Sequence, residues 1–173
     1  MVLLATTSIS ACTQLKVLFP ELEAETFPLA SAGSPDQHRI MKIEHFALQV
    51  SDPVRMAAWY VAHLKLSVVR ETDAPTYQRF LSDSSGSILL EFYRNPRVPV
   101  PDYAMMDPLL LHIAFVSENP AADRDRLVKA GATLADELTI APNGDSLVML
   151  RDPSGVALQL VKRVEPMLRK PDC

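Results

Sequence analysis

Four residues carry the chemistry that this sequence offers: His45, Glu91, His112 and Gln159. Each stands within a short, mostly apolar run: Ile43 to Leu48, Ile88 to Phe92, Leu110 to Phe115 and Val156 to Leu160. Alternate side chains of an extended strand share a face. On that rule His45 lies with Ile43, Ala47 and Gln49, opposite Phe46, Leu48 and Val50. Glu91 lies with Leu89 and Tyr93, His112 with Leu110 and Ala114, and Gln159 with Ala157 and Val161. A carboxylate on such a strand is costly unless a cation balances it. Arg79 or Arg94 is one candidate counter-charge for Glu91. A divalent metal held with two imidazoles is the other, and the amide oxygen of Gln159 would complete that set as a weaker ligand.

The four positions repeat. His45 to Pro53 aligns without gaps to His112 to Pro120, 67 residues later, and Glu91 stands 68 residues before Gln159. Ser85-Gly86 and Ser154-Gly155 precede the second member of each pair. Two half-domains of one pattern are therefore expected, each supplying two of the four residues.

The elements that position them read the same way in both halves. After the first strand, Ser51-Asp52-Pro53 signals a helix start, and a helix over 54–64 places Met56, Trp59, Tyr60 and His63 at helical spacing. Strands are expected over 66–71, 77–81 and 88–92. Pro96, Pro99, Pro101 and Pro108 punctuate a connector. In the second half a strand over 109–116 leads to Asn119-Pro120, a helix over 121–130 that ends at Gly131, and strands over 133–140, 146–150 and 156–160. Asp152-Pro153-Ser154-Gly155 is a β-turn. The fold class is thus α+β: two tandem βαβββ modules, a cupped mixed sheet around a central cavity, with the helices outside.

The chain has 173 residues, 48% of them hydrophobic and 22% charged, and a net charge of −4. That is enough apolar material for one sizeable core. No basic stripe is visible, so nucleic acid is not an expected partner, and no run is long enough to span a membrane. Cys12 and Cys173, the two cysteines, lie near opposite ends and away from any His, against a thiolate metal site or redox pair. Residues 1–40 lack a persistent period and read as a flexible extension outside the fold. Met41, just before the first strand, is an alternative start of translation. The domain is expected over 41–163, with a polar tail over 164–173, and the location as cytoplasmic.

The order strand, helix and three strands, twice, resembles the vicinal oxygen chelate superfamily, which holds glyoxalase I, methylmalonyl-CoA epimerase, extradiol dioxygenases, and fosfomycin and bleomycin resistance proteins. The pieces that carry the resemblance are Ile43 to Leu48 around His45, Leu89 to Phe92 around Glu91, Leu111 to Ala114 around His112, and Asp152 to Leu160 with Gln159. The resemblance implies one divalent metal (Zn, Ni, Co, Mn or Fe) in the cup, ligated by His45, Glu91, His112 and Gln159, and a substrate with neighbouring oxygens. Ring-opening dioxygenases of this family take a carboxylate from the final strand, where this chain has Gln159. Four candidate ligands resemble glyoxalase I and the epimerases more closely. In that setting Glu91 is the catalytic carboxylate, moving a proton next to a carbonyl.

The same resemblance assigns Asn95, Tyr93 and Gln49 to substrate binding. Gln49 and Pro108 stand where glyoxalase I carries basic residues, so the carboxylates of glutathione lack their usual partners and lactoylglutathione lyase is not assigned. The leading expectation is a metal-dependent lyase, isomerase or epimerase acting on a small molecule. The alternatives are a drug-binding resistance protein without catalysis and an extradiol-type dioxygenase. A homodimer is expected, with the modules paired either within one chain or across the dimer interface; the Trp59 and Tyr60 helix faces and the Pro96 to Pro108 connector are candidate interface material.

Overall fold

The computed structural model describes residues 41–167. The expectations for residues 1–40 and for the end of the tail lie outside the described residues. Two modules follow one another. The first is β1 (His45–Gln49), α1 (Pro53–Leu64), β2 (Ser67–Glu71), β3 (Arg79–Ser82) and β4 (Leu89–Tyr93). The second is β5 (Ile113–Val116), α2 (Pro120–Lys129), β6 (Thr133–Ile140), β7 (Ser146–Arg151) and β8 (Ala157–Lys162). Each module closes one four-stranded mixed sheet, ordered β1-β4-β3-β2 and β5-β8-β7-β6. The first strand of each module pairs in parallel with the last, and the other pairs are antiparallel. No helix of the described residues is long and apolar enough to cross a membrane.

The sequence repeat is a structural repeat. Asp52 caps α1 by accepting from the Arg55 N–H, and Asn119 caps α2 by accepting from the Ala122 N–H, each followed by a proline whose missing N–H costs nothing there. Gly131 follows α2 at φ +100°, a left-handed residue that ends the helix as expected. At the second turn, Gly155 at φ +89° cannot be replaced cheaply, because a Cβ there would lie 2.8 Å from the backbone nitrogen of Ala104.

One face of each sheet is buried beneath its helix. Leu48, Leu81 and Phe92 of the first sheet pack with Met56 and Tyr60 of α1, and Val148, Leu150, Leu158 and Leu160 of the second pack with Leu127 of α2, all in one core. Tyr60 is fully buried and joins the modules. Its ring meets Phe92 edge-on at 4.8 Å and Phe115 at 6.3 Å, and its hydroxyl donates to Asp152 Oδ2 at 3.0 Å. Trp59 Nε1 donates to the Ala130 carbonyl at 2.9 Å. Tyr60 therefore packs wholly within the chain and Trp59 partly so, which takes Tyr60 out of the expected dimer-interface material, because the second module supplies its neighbours.

Asp152 is a buried carboxylate with a structural task. Its Oδ1 accepts from the Ser154 and Val156 N–H groups at 2.7 and 3.0 Å while its Oδ2 takes the Tyr60 proton in a hydrogen bond. Burial raises its pKa, against the pull of those hydrogen bonds. A raised carboxyl pKa means that the folded state holds the proton longer than the unfolded chain, so this group withdraws stability as pH rises from about 4 through its folded pKa. Asp152→Asn is expected to remove that loss, gaining on the wild type as pH increases across this window in denaturant titrations. Asp152→Ala leaves the Tyr60 hydroxyl and two N–H groups without acceptors and is expected to cost about 2–4 kcal/mol.

Candidate functional site

The register brings the first two candidates together. Ala47 of β1 lies opposite Glu91 of β4, and Glu91 opposite Phe80 of β3, so these residues share the face away from α1 with His45. Phe92 and Leu81 take the other face into the core. His45 Nε2 lies 3.4 Å from Glu91 Oε2. Glu91 is only 7% exposed. Its Oε1 accepts from Gln78 Nε2 at 2.8 Å. Neither arginine considered as a counter-charge reaches it: Arg79 lies opposite Phe92 on the core-side face, pairs with Glu71 at 3.4 Å and donates to the Thr72 and Gln78 carbonyls, and no ion pair joins Arg94 to Glu91 among the described residues.

Both histidines have their Nδ1 engaged. His45 Nδ1 contacts the Glu44 carboxylate, whose hydrogen bond is the main cause of a raised His45 pKa. His112 Nδ1 lies 2.9 Å from the Pro108 carbonyl, which can only accept, so Nδ1 carries the proton and Nε2 the lone pair. In this tautomer an imidazole is ready to ligate through Nε2 with its orientation set by a second acceptor. In His45 the same tautomer points a lone pair at the Glu91 carboxylate. A proton on Nε2, which the raised pKa of His45 favours, or a metal between the two atoms would make that contact attractive. Ligands about 2.0–2.1 Å from a tetrahedral metal stand about 3.4 Å apart, so the pair fits a divalent ion.

The other two candidates are elsewhere in the chain. Gln159 lies opposite Ala114 of β5 and Met149 of β7, on the face away from Leu158 and Leu160. His112 does not belong to a strand at all. The residues before it form a turn at Asp107–Leu110 and β5 starts at Ile113, because Asp107 caps that turn through the Leu109 N–H. Among the described residues no group of three or more His, Cys, Asp or Glu side chains is placed to hold a metal. β1 and β5 are each the edge strand of a separate sheet. A cavity of about 610 Å³ occupies the seam, lined by Phe46, Leu48, Tyr93, Tyr103, His112 and Ile113 among others.

Of the expected substrate contacts, Tyr93 and Gln49 line that cavity. Gln49 is also a clamp: both amide protons go to the Asn95 and Val98 carbonyls at 2.8 Å, and its oxygen accepts from the Asn95 N–H at 2.8 Å. A buried amide with both donors spent has none left for a substrate. Asn95 turns its own oxygen to the Arg97 N–H at 3.0 Å. Two residues of the site escaped the sequence reading, Glu44 and Gln78. Glu44 directly precedes His45, and strand alternation alone would turn it to the opposite face. Gln78 sits just before β3 and carries no local signal.

Residues 42–160 match the family model described as Glyoxalase/Bleomycin resistance protein/Dioxygenase superfamily. The chain belongs to this superfamily. Solved structures of the glyoxalase/bleomycin resistance/dioxygenase type share the fold. SMU.1112c is 27% identical at a TM-score of 0.57, over 72% of this chain and 100% of its own. Glyoxalase I from Zea mays is 18% identical at 0.58, over 72% of this chain but 45% of the maize chain. TnmS3, an antibiotic-binding protein from Streptomyces sp. CB03234, is 17% identical at 0.54, over 72% and 97% of the two chains. No curated protein matches the sequence. A protein titled as an enzyme and one titled as antibiotic-binding thus both share this fold.

Proposed function

We propose that this chain is a divalent-metal-dependent, glyoxalase-like enzyme, a lyase, isomerase or epimerase that moves a proton next to a carbonyl of a small substrate. The observation that carries the reading is the buried Glu91 carboxylate, which faces the Nε2 of His45 with no arginine or lysine paired to it among the described residues. His45 and Glu91 would hold the ion (Zn, Ni, Co, Mn or Fe) from one chain, and His112 and Gln159 from a second copy, in a homodimer whose two modules of different chains complete each site. A metal bound there supplies Lewis-acid polarisation of the substrate carbonyl. Glu91 removes the proton beside that carbonyl and returns it to the neighbouring atom, a task that the neutral amide of Gln159 cannot share. Glu44 and Pro108 engage the Nδ1 atoms of His45 and His112, which leaves Nε2 as the atom that each ring would offer to the ion. Tyr93 meets the substrate from the seam cavity, and Asn95 stands at the mouth of the same connector.

The test is a metal-supplemented screen against hemithioacetals, acyl-CoA epimers and catechols, beside metal analysis of freshly purified protein. Turnover of a hemithioacetal or an acyl-CoA epimer, abolished by chelator and restored by one divalent ion, is the expected result. Oxygen uptake with Fe(II) and a catechol would replace this reading with a dioxygenase.

A second reading has its own support. The seam cavity is lined largely by apolar side chains, with Gln49 and the Tyr103 hydroxyl already bonded to the chain, which suits a drug-like molecule held without chemistry. Protein that carries no divalent metal, and gains no activity from any, favours this binder.

A further inference from the structure

We infer that Gln78 is a positioning residue for Glu91: it binds one carboxylate oxygen so that the other is the one presented to His45 and to the metal, an inference that rests on the metal-dependent reading above. The two oxygens of Glu91 are already divided. Oε1 accepts from Gln78 Nε2 at 2.8 Å, and Oε2 faces His45 Nε2 at 3.4 Å. A carboxylate with both oxygens free can rotate and ligate through either or both. One held at Oε1 offers a single oxygen along a single direction.

Gln78 is itself held. Its amide oxygen accepts from the Thr72 hydroxyl at 3.3 Å, and that hydroxyl accepts from the Gln78 N–H at 3.1 Å. The Thr72 N–H donates to the Gln78 carbonyl at 3.0 Å, and Arg79 Nη1 ties the carbonyls of both residues at 2.7 and 2.8 Å. The Glu91 carboxylate, which can only accept, takes the nitrogen end of the amide, and the Thr72 hydroxyl proton holds the oxygen end. An acceptor in that place would repel the carboxylate. Gln78 also precedes β3 with the alternation that puts it on the side of Phe80, the residue opposite Glu91. The residue before it, Tyr77, adopts φ +48°, a left-handed conformation that a tyrosine rarely takes. A strained residue at this point is tolerated where the following side chain must be aimed.

The chain of contacts runs from Thr72 through Gln78 and Glu91 to His45. Partners that orient a metal ligand in this way are worth roughly tenfold to a hundredfold in metal affinity. The experiment has two readouts on full-length protein. In the first, Zn(II) as the chloride is titrated calorimetrically into wild type and into Gln78→Leu, Thr72→Val and Thr72→Ser. Gln78→Leu is expected to weaken affinity about tenfold or more. Thr72→Val, which frees the amide to turn over, is expected to weaken it as well, and Thr72→Ser, which keeps the hydroxyl, to restore it. A general loss of folding would not separate valine from serine in this way. Equal affinity in all four proteins overturns the inference.

The second readout needs no metal. In protein labelled with 15N at glutamine, the Gln78 side-chain amide protons are expected to exchange slowly and to lose that protection in Glu91→Ala. Should wild type take up no Zn(II), the metal reading fails and this signal alone decides: protection dependent on Glu91 upholds Gln78 as the residue that orients the carboxylate, and its absence refutes it.

Discussion

Glu91→Gln is expected to lower kcat by a factor of about 10² to 10⁴, the range that a positioned general base contributes. The substitution also exchanges a carboxylate ligand for a weaker amide one, so turnover is compared at saturating metal, and the packing is kept. The amide has the shape of the carboxylate, its oxygen still accepts from the Gln78 Nε2–H that now bonds Glu91 Oε1, and an uncharged group at a 7% exposed position relieves a buried charge. Thermal stability is therefore expected to hold or rise while turnover collapses. KM is expected to move far less than kcat, since the lost interaction belongs to the transition state. Turnover within tenfold of wild type, on whichever substrate the screen returns, would remove Glu91 from the reaction. Glu44 serves as the control. It contacts His45 from the exposed side, so Glu44→Gln is expected to cost much less.

Two inactive variants should restore one another if the site is shared between chains. Glu91→Gln damages the first module and His112→Ala the second. In a mixed dimer one site then combines both lesions and the other combines both intact modules. Random reassortment makes half of the dimers mixed, each with one working site of two, so about a quarter of wild-type activity is expected to return. Recovery should require exchange of subunits and should be absent when the two proteins are mixed too briefly for it. A site built within one chain would return nothing, because every chain present carries a lesion. The outcome reports on pairing directly: β1 and β5 are edge strands of separate sheets, and the described residues of one chain gather no three-ligand metal group.

Local periodicity was enough for most of the fold. The alternation around His45, Glu91 and Gln159 placed each on the face away from the core, and the register of β1, β4 and β8 agrees, because a period of two leaves a half-buried strand one way to face. The caps at Asp52 and Asn119 and the turn at Asp152 were legible for the same reason: each is a short-range hydrogen bond between neighbours in sequence. The repeat with its near-constant offset carried the module count.

What lay beyond reach depended on residues far apart in the chain. Tyr60 looked like an exposed helix face until the second module supplied Phe115 and Asp152 around it. That Gln49 clamps the connector at Asn95 and Val98 could be seen only once the connector folded back. His112 was read into a strand that starts one residue later, since the turn capped by Asp107 competes with extension. Gln78 had no pattern of its own, and its meaning comes from standing 2.8 Å from a carboxylate 13 residues away. The identity of the four polar positions is written in alternation, a property of neighbours. Which of them meet is a property of how two sheets pack, and that depends on long-range contacts that no local period encodes.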